Sequence, residues 1–255
     1  MEVTDLLNVL FRWIHIVAGV IWVGSAFWVV FVQMPSVMAL DPSTQAKVNV
    51  ALLPRAMRLF RSSSIFTWVF GILLLGLVFY HGGILFENEA EQGWGFASVL
   101  SLVLVFGMYG VYSLLLKSGL ARNSMIFGVV SFAIVAAMIY LMREVAGFSY
   151  RAYNIHLGVM FGNLMLANGM RSLPVQRRML AAMKEGKAPE QSEIQMFGTM
   201  SRHNVYLSVP LIYTMINAHT VVPGSNSTAY LLGAVLLGWL FVAFMFSRAA
   251  RVRTT

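Results

Sequence analysis

Histidine is the residue type in this sequence best suited to chemistry, because a neutral imidazole binds transition metals and exchanges protons near neutral pH. Each of the five histidines lies in or at the end of a long apolar segment: His15, His81, His156, His203 and His219. The chain contains no cysteine, which excludes thiolate metal sites, iron–sulfur clusters and covalently attached c-type haem. Any metal or haem must therefore be held by other ligands, of which imidazole is the best candidate.

A b-type haem between two helices needs one histidine from each helix at a similar depth. We predict His15 and His156 as the iron ligands of a haem b, with His219 as the alternative partner. Small residues that would leave room for a flat macrocycle follow both ligands, namely Ala18 and Gly19 in the first segment and Gly158 and Gly162 in the second. Close helix packing through small residues is the alternative explanation for these glycines.

Two arginines near the histidines are candidates for binding an anion. Arg12 precedes His15 by three residues and shares its helix face. An arginine inside an apolar helix costs roughly 3 kcal/mol unless it reaches the headgroups or an anion. A haem propionate, an anionic substrate and simple extension toward the headgroups stay open for Arg12, and Arg151 is a second candidate for a propionate.

Polar residues also cluster in the segment that begins with His203 and Asn204, and Asn163 and Asn168 stand in the segment before it. This pattern predicts a polar pocket between the two segments. Hydrogen bonding between helices without a ligand is the alternative.

The segments that carry these residues have the composition of a membrane protein. Of the 255 residues, 58% are apolar and only 11% are charged, whereas a soluble domain carries roughly a quarter charged residues. A nucleic-acid-binding module, a coiled coil and a disordered chain are excluded, because no soluble surface could be built from the remaining residues. Membrane lipid is therefore the expected surrounding.

Seven segments are long enough to cross a bilayer as helices, since about 30 Å of hydrocarbon requires about 20 apolar residues. They are residues 6–32, 64–84, 96–116, 125–142, 153–171, 204–222 and 229–246. Their apolar runs do not alternate with polar residues, which argues against a β-barrel. We predict an all-α integral membrane protein, a single domain over residues 1–255 with a bundle of about seven transmembrane helices.

The basic residues predict the orientation of this bundle, because short basic loops stay in the cytoplasm. Fifteen of the 18 Lys and Arg residues fall on one side of the predicted spans. We therefore place the N-terminus outside and the C-terminus in the cytoplasm. Two cytoplasmic loops, about residues 46–61 and 175–184, alternate basic and apolar residues at helical spacing, which predicts amphipathic helices on an anionic leaflet.

Two stretches of the sequence resemble the membrane part of the bacterial membrane-bound urate hydroxylases, the urate oxidase N-terminal domain. The first is RWIH at residues 12–15, followed by AG at 18–19 and WVG at 22–24. The second runs from Arg151 to His219 and contains NIHLG at 154–158, RHNVY at 202–206, and Pro210.

The resemblance implies a haem-dependent oxidoreductase of purine catabolism that hydroxylates urate to 5-hydroxyisourate with water. Arg12, or His203 together with Asn204, would bind the substrate. Members of the family commonly carry a further span and a C-terminal cytochrome c domain, whereas this chain is expected to lack both. A separate cytochrome c or a quinone is then the expected electron acceptor.

Two other functions stay open at this point. The first is a non-catalytic b-haem membrane subunit that carries electrons between a soluble dehydrogenase and quinone, with the basic loops as its docking surface. The second is a transporter or structural membrane protein without a cofactor. The predicted spans contain no Asp or Glu, which argues against a carboxylate proton relay.

Overall fold

The computed structural model describes residues 3–87, 94–220 and 227–249, and the regular elements within these ranges are all helices. The α-helices are α1 (Val3–Trp28), α2 (Met34–Met38), α3 (Pro42–Leu74), α4 (Phe96–Lys117), α5 (Ser124–Tyr140), α6 (Tyr150–Lys184), α7 (Gln191–Asn217) and α8 (Thr228–Ala249). Three π-helical segments prolong them: Val29–Gln33 joins α1 to α2, Leu75–Tyr80 extends α3, and Leu141–Val145 extends α5. The predicted all-α fold is confirmed for the described residues.

Five helical rods are long and apolar enough to cross a membrane. They are Val3–Met38, Pro42–Tyr80, Phe96–Lys117, Ser124–Val145 and Thr228–Ala249. Four of the seven predicted spans lie within these rods, and a fifth, residues 64–84, coincides with one of them up to Tyr80. The structure thus confirms five span-capable helices in the part of the chain that it describes.

The other two predicted spans, residues 153–171 and 204–222, fall on α6 and α7, which are not among the five apolar rods. Both segments are helical up to Asn217, and residues 221–222 lie outside the described residues. Their lower hydropathy has a structural reason, because their polar side chains are buried against other helices. The buried polar residues of the pair are Asn154, His156, Asn163, Asn168, Ser172, Gln176, Asn204, Ser208, Thr214 and Asn217.

Helix α6 lies at the centre of the molecule and packs against α3, α4 and α7, while α1 packs on α3 and α8 on α7. Helices α6 and α7 run antiparallel. Asn168 of α6 bonds to Asn204 of α7, and Asn154, 14 residues earlier, bonds to Asn217, 13 residues later. The apolar rods therefore surround a polar helix pair.

Helix α3 begins at a strong N-terminal signal. The Asp41 carboxylate accepts hydrogen bonds from the backbone N–H groups of Ser43 and Thr44, and Pro42 occupies the first helical turn. The hydrogen bonds from Thr44 and Ser43 hold the pKa of the exposed Asp41 carboxyl below its usual value.

The two predicted loop helices are helical, but each continues a longer helix. Residues 46–61 belong to α3, and residues 175–184 belong to α6. The rod Pro42–Tyr80 has 39 residues, or about 58 Å at 1.5 Å per residue, which exceeds the roughly 30 Å of a hydrocarbon core. A position of these basic segments on a lipid leaflet stays a prediction.

The antiparallel packing collects most of the described basic residues at one end of the bundle, which we call the basic end. It contains the first half of α3, the second half of α6 and the start of α7. Its arginines include Arg55, Arg58, Arg61, Arg171, Arg177, Arg178 and Arg202. We call the other end, where α3 reaches Tyr80 and α6 begins at Tyr150, the opposite end.

Candidate functional site

His15 lies against α3. Its Nδ1 is 2.8 Å from the backbone oxygen of Thr67, to which it donates. The ring is so close to Gly71 that a Cβ at that position would lie 2.8 Å from the imidazole Cε1. Gly19, one turn further along α1, also faces Thr67. A Cβ at Gly19 would lie 3.6 Å from Thr67 Cγ2. The small residues around His15 therefore allow α1 and α3 to pack closely.

His156 is fully buried and uses both ring nitrogens within the protein. Nδ1 is 2.7 Å from the backbone oxygen of Ala152, and Nε2 is 3.0 Å from the hydroxyl of Tyr80. Because a carbonyl oxygen only accepts, Nδ1 carries the hydrogen and Nε2 accepts from Tyr80. Phe148 covers the ring, with the ring centroids 4.8 Å apart.

Gly158, two residues further along α6, also serves helix packing. A Cβ at this position would collide with Met215 Cε and lie 2.9 Å from Thr214 Oγ1, so α7 approaches α6 closely here. Gly162 meets Leu211 of α7 in the same way, at 3.4 Å. The space that a macrocycle would need beside these glycines is filled by α7.

The arrangement of His15 and His156 does not fit a shared haem. Thr67 and Tyr80, to which the two histidines bond, are 13 residues apart on one helical rod, or roughly 20 Å along its axis. Two axial imidazoles must bring their nitrogens to the same iron atom. Haem b therefore stays a prediction from the sequence, and no step of a reaction is assigned to it.

The remaining predicted residues of this region gather at the opposite end. His219 is exposed beyond the last turn of α7, where the charges of Arg12 and Arg151 act on its ring. Arg12 Nε donates to Asn8 Oδ1 at 2.6 Å, and Arg151 Nε donates to the Tyr150 hydroxyl at 3.2 Å. Both arginines thus bond to residues of their own helices.

A second group of polar side chains lies toward the basic end, where α4, α6 and α7 meet. The Tyr112 hydroxyl is 2.7 Å from His203 Nδ1 and accepts a hydrogen bond of 3.1 Å from Asn168 Nδ2. Asn168 Nδ2 also donates to Asn204 Oδ1 at 3.1 Å. The His203 ring stacks on Phe127, with centroids 5.2 Å apart and planes 17° apart. We call Tyr112, Asn168, His203 and Asn204 the Tyr112 network.

A narrow cleft adjoins this network between α1, α3, α6 and α7. Its cavity volume is only about 20 Å³. It is lined by Ala26, Val29, Met57, Phe60, Asn168, Gly169, Ser172, Gln176, Phe197, Met200, Ser201 and Asn204. Two of the lining side chains are methionines, whose unbranched chains adapt to the shape of a ligand.

Two amide groups at the cleft have unused hydrogen-bonding capacity. Asn168 is fully buried, and its Oδ1 has no partner although both hydrogens of its Nδ2 are used. Asn204 accepts through Oδ1, and its Nδ2 makes no hydrogen bond to a residue that the structure describes. An unpaired buried amide oxygen costs about 1 to 3 kcal/mol, so a ligand that donates a hydrogen there would be stabilised.

The structure brings some of the predicted polar residues to this cleft, and their role stays a prediction. The predicted polar pocket between the segments of α6 and α7 corresponds to Asn168 and Asn204, whereas His203 stands behind them and does not line the cleft. Tyr112 and Gln176 were missed. Tyr112 is one of several hydroxyl-bearing residues of α4, so the sequence has no signal that singles it out. Within residues 3–87, 94–220 and 227–249, no group of three or more His, Asp or Glu side chains could hold a metal ion.

The fold and site define a class: an all-helical protein with five span-capable rods around a polar helix pair and an amide-lined cleft. The chain belongs to the urate oxidase N-terminal family, whose family model matches residues 42–254. The match contains α3 to α8 and thus the whole Tyr112 network, while the RWIH motif at 12–15 lies outside it. No curated protein and no solved structure matches the chain.

Proposed function

We propose that this protein is a multi-pass enzyme of the bacterial cytoplasmic membrane that oxidises urate. In this proposal the N-terminus lies outside and the basic end faces the cytoplasm. The five apolar rods and the one-sided distribution of Lys and Arg support the membrane position and the orientation. The family relation supports urate as the substrate.

The proposed reaction adds the oxygen of water to C5 of urate and yields 5-hydroxyisourate. It releases two electrons and two protons for each urate. A separate cytochrome c or a quinone takes up the electrons, because urate and water alone do not balance the reaction.

The observation that carries the proposal is the amide-lined cleft at the basic end, whose lining residues, apart from Ala26 and Val29, lie in the region that the family model matches. Exposed or half-buried arginines directly follow three of the lining residues, since Arg58 follows Met57, Arg61 follows Phe60 and Arg202 follows Ser201. Urate is an anion at neutral pH, and clustered positive charge raises the local concentration of an anionic substrate.

The residues of this site have separate roles in the proposal. Asn168 and Asn204 contact the substrate, and His203 is a positioning residue that acts through Tyr112. Arg12, an alternative substrate ligand from the sequence, is 14 residues before the lining residue Ala26 on the same helix, or roughly 21 Å away. We therefore assign Arg12 no contact with the substrate.

The test uses the full chain in detergent or nanodiscs, with ferricytochrome c and a soluble quinone supplied in parallel. We expect urate-dependent reduction of one acceptor and incorporation of 18O from labelled water into the product. Asn204→Ala should lower kcat/KM at least about tenfold, because it removes a buried hydrogen-bonding group. Asn49→Ala on the basic half of α3 is the matched control, with activity like the wild type. Absence of urate-dependent reduction of both acceptors would overturn the proposal.

The haem prediction is tested on the same preparation. A reduced-minus-oxidised spectrum with the α band of a protohaem would support haem b, and a colourless preparation would contradict it. Haem content in His15→Ala and His156→Ala then tests whether either histidine is a ligand.

A further inference from the structure

We infer that the cleft recognises the edge of a cyclic amide in which an N–H group lies beside a C=O group, and that Tyr112 is the positioning residue that sets this preference. The inference rests on the proposed function, because it describes how the same site would take urate. It adds the substrate class, namely planar lactams and cyclic ureides with unsubstituted nitrogen.

The hydrogen bonds of the Asn168 side chain determine what a ligand must offer. A primary amide has two hydrogens to donate and one oxygen that accepts. Both hydrogens of Asn168 are used, one toward the Tyr112 hydroxyl and one toward Asn204 Oδ1. Its oxygen is buried without a partner beside the cleft. Asn168 can therefore only accept from a ligand, and the ligand must donate an N–H or O–H.

The orientation of the Asn204 amide determines which of its groups can bind a ligand. Its oxygen accepts from Asn168, so its Nδ2 remains as a donor at the cleft. The two neighbouring amides thus present one acceptor and one donor side by side. A cyclic amide edge with N–H next to C=O offers the complementary donor and acceptor.

The Tyr112 hydroxyl helps to fix the orientation of the Asn168 amide. A tyrosine hydroxyl has one hydrogen to donate. The Tyr112 hydroxyl donates it to His203 Nδ1, and the hydroxyl oxygen accepts a hydrogen bond from Asn168 Nδ2. If Asn168 turned over, its oxygen would face the Asn204 oxygen, and two acceptors would repel each other. Tyr112 and Asn204 therefore hold the Asn168 oxygen toward the cleft. His203 in turn fixes the direction of the Tyr112 hydrogen.

The cleft has a cavity volume of only about 20 Å³, so a flat ligand must displace lining side chains to enter. Phe60 and Phe197 provide apolar ring surface, and Met57 and Met200 are the lining side chains best able to move aside. The cleft is narrow, so we expect a purine to enter with displacement of methionine side chains and not of backbone.

The experiment compares two ligands that share a ring and both carbonyl groups. Xanthine has unsubstituted nitrogens, whereas in caffeine methyl groups replace all three N–H hydrogens. Binding to the full chain in nanodiscs is measured by calorimetry without an electron acceptor. We expect xanthine to bind at least about tenfold more tightly than caffeine, since a site with unpaired polar groups rejects ligands that cannot pair them.

Variants separate hydrogen bonding from the size of the methyl groups. Asn168→Leu removes the acceptor and should lower xanthine affinity about tenfold or more, while caffeine binding changes little. Tyr112→Phe should reduce the xanthine-to-caffeine preference, because Asn168 then loses one of the two contacts that hold its oxygen toward the cleft. Tyr109→Phe, three residues earlier on α4, is the matched control and should keep the preference.

The outcomes distinguish this inference from the proposed function. Equal binding of the two ligands, no binding of either, or an unchanged preference in Asn168→Leu would overturn the inference. If xanthine binds with the expected preference and urate reduces neither acceptor, the proposed reaction is overturned while the recognition stands. If urate is oxidised with unchanged kinetics in Asn168→Leu, the reaction stands and the inference is overturned.

Discussion

The two ends of the α6–α7 pair contain the same kinds of side chain in different states of hydrogen bonding. At the opposite end, His156 bonds to Tyr80, and Asn154 bonds to Asn217. Toward the basic end, the Tyr112 network repeats both pairings, with His203 bonded to Tyr112 and Asn168 bonded to Asn204. Each end thus has one histidine–tyrosine pair and one asparagine–asparagine bridge between α6 and α7.

The difference lies in what remains unpaired. His156 has both nitrogens bonded, and Asn154 accepts from Asn217 and donates to the Tyr150 oxygen. In the Tyr112 network, an amide oxygen and an amide NH₂ beside the cleft have no partner among the residues that the structure describes. The same residue types therefore stabilise the fold at one end and, in our proposal, bind a ligand at the other. The two ends differ in which amide groups have hydrogen-bond partners.

The largest expected effect is a difference in urate turnover between variants of His203 and His156. His203→Gln should lower urate turnover about 10- to 100-fold. The substitution releases the Tyr112 hydroxyl, so Asn168 is no longer held in place to contact the substrate. His156→Gln should reduce the yield of folded protein but leave turnover per folded molecule near the wild-type value. Turnover is measured on equal amounts of monodisperse protein. An equal loss of turnover in both variants would break the comparison.

The next effect concerns stability at the opposite end. Tyr80→Phe removes the hydroxyl that contacts His156 Nε2 and the backbone oxygen of Ser98. We expect a loss of about 2 kcal/mol in the free energy of unfolding, because the buried partners are left unsatisfied. Thermal unfolding in detergent measures it, with Tyr140→Phe on α5 as an exposed control. A stability like that of the wild type would show that this pair is not structural.

A smaller effect tests the packing role of His15. Gly71→Ala should cost about 1 kcal/mol, because the new Cβ would lie 2.8 Å from the imidazole Cε1 and displace the ring. In a His15→Ala background the same substitution should be neutral or stabilising. A double-mutant cycle measures this coupling. Equal costs of Gly71→Ala in both backgrounds would contradict the contact.

The smallest effect concerns the start of α3. The folded state lowers the pKa of Asp41, so its contribution to stability is fully present above about pH 4, the unfolded value. The contribution is lost as the pH falls below that value toward the lower folded pKa. Asp41→Asn should flatten this part of the pH profile of unfolding, with little change at pH 7. An unchanged acid profile would contradict the capping role.

The sequence predicts the architecture better than the site. Apolar runs predict the rods, because each must bury or shield its backbone within a helix, and the basic residues of α3 and α6 indicate a shared end. The pairing of Tyr112 with His203 joins residues 91 positions apart and depends on the packing of α4 against α7. Likewise, the glycines after His15 and His156 have the same sequence signature whether they face a macrocycle or another helix.

Helix α3 and its extension to Tyr80 contact both the cleft and the buried His156. Phe60 lines the cleft, and Tyr80 holds His156, 20 residues and about 30 Å away on one rod. Because one rod carries both contacts, we expect a ligand that moves Phe60 to act on Tyr80 as well. The wider helical turn Leu75–Tyr80 ends at the second contact, and we expect it to absorb part of such a movement.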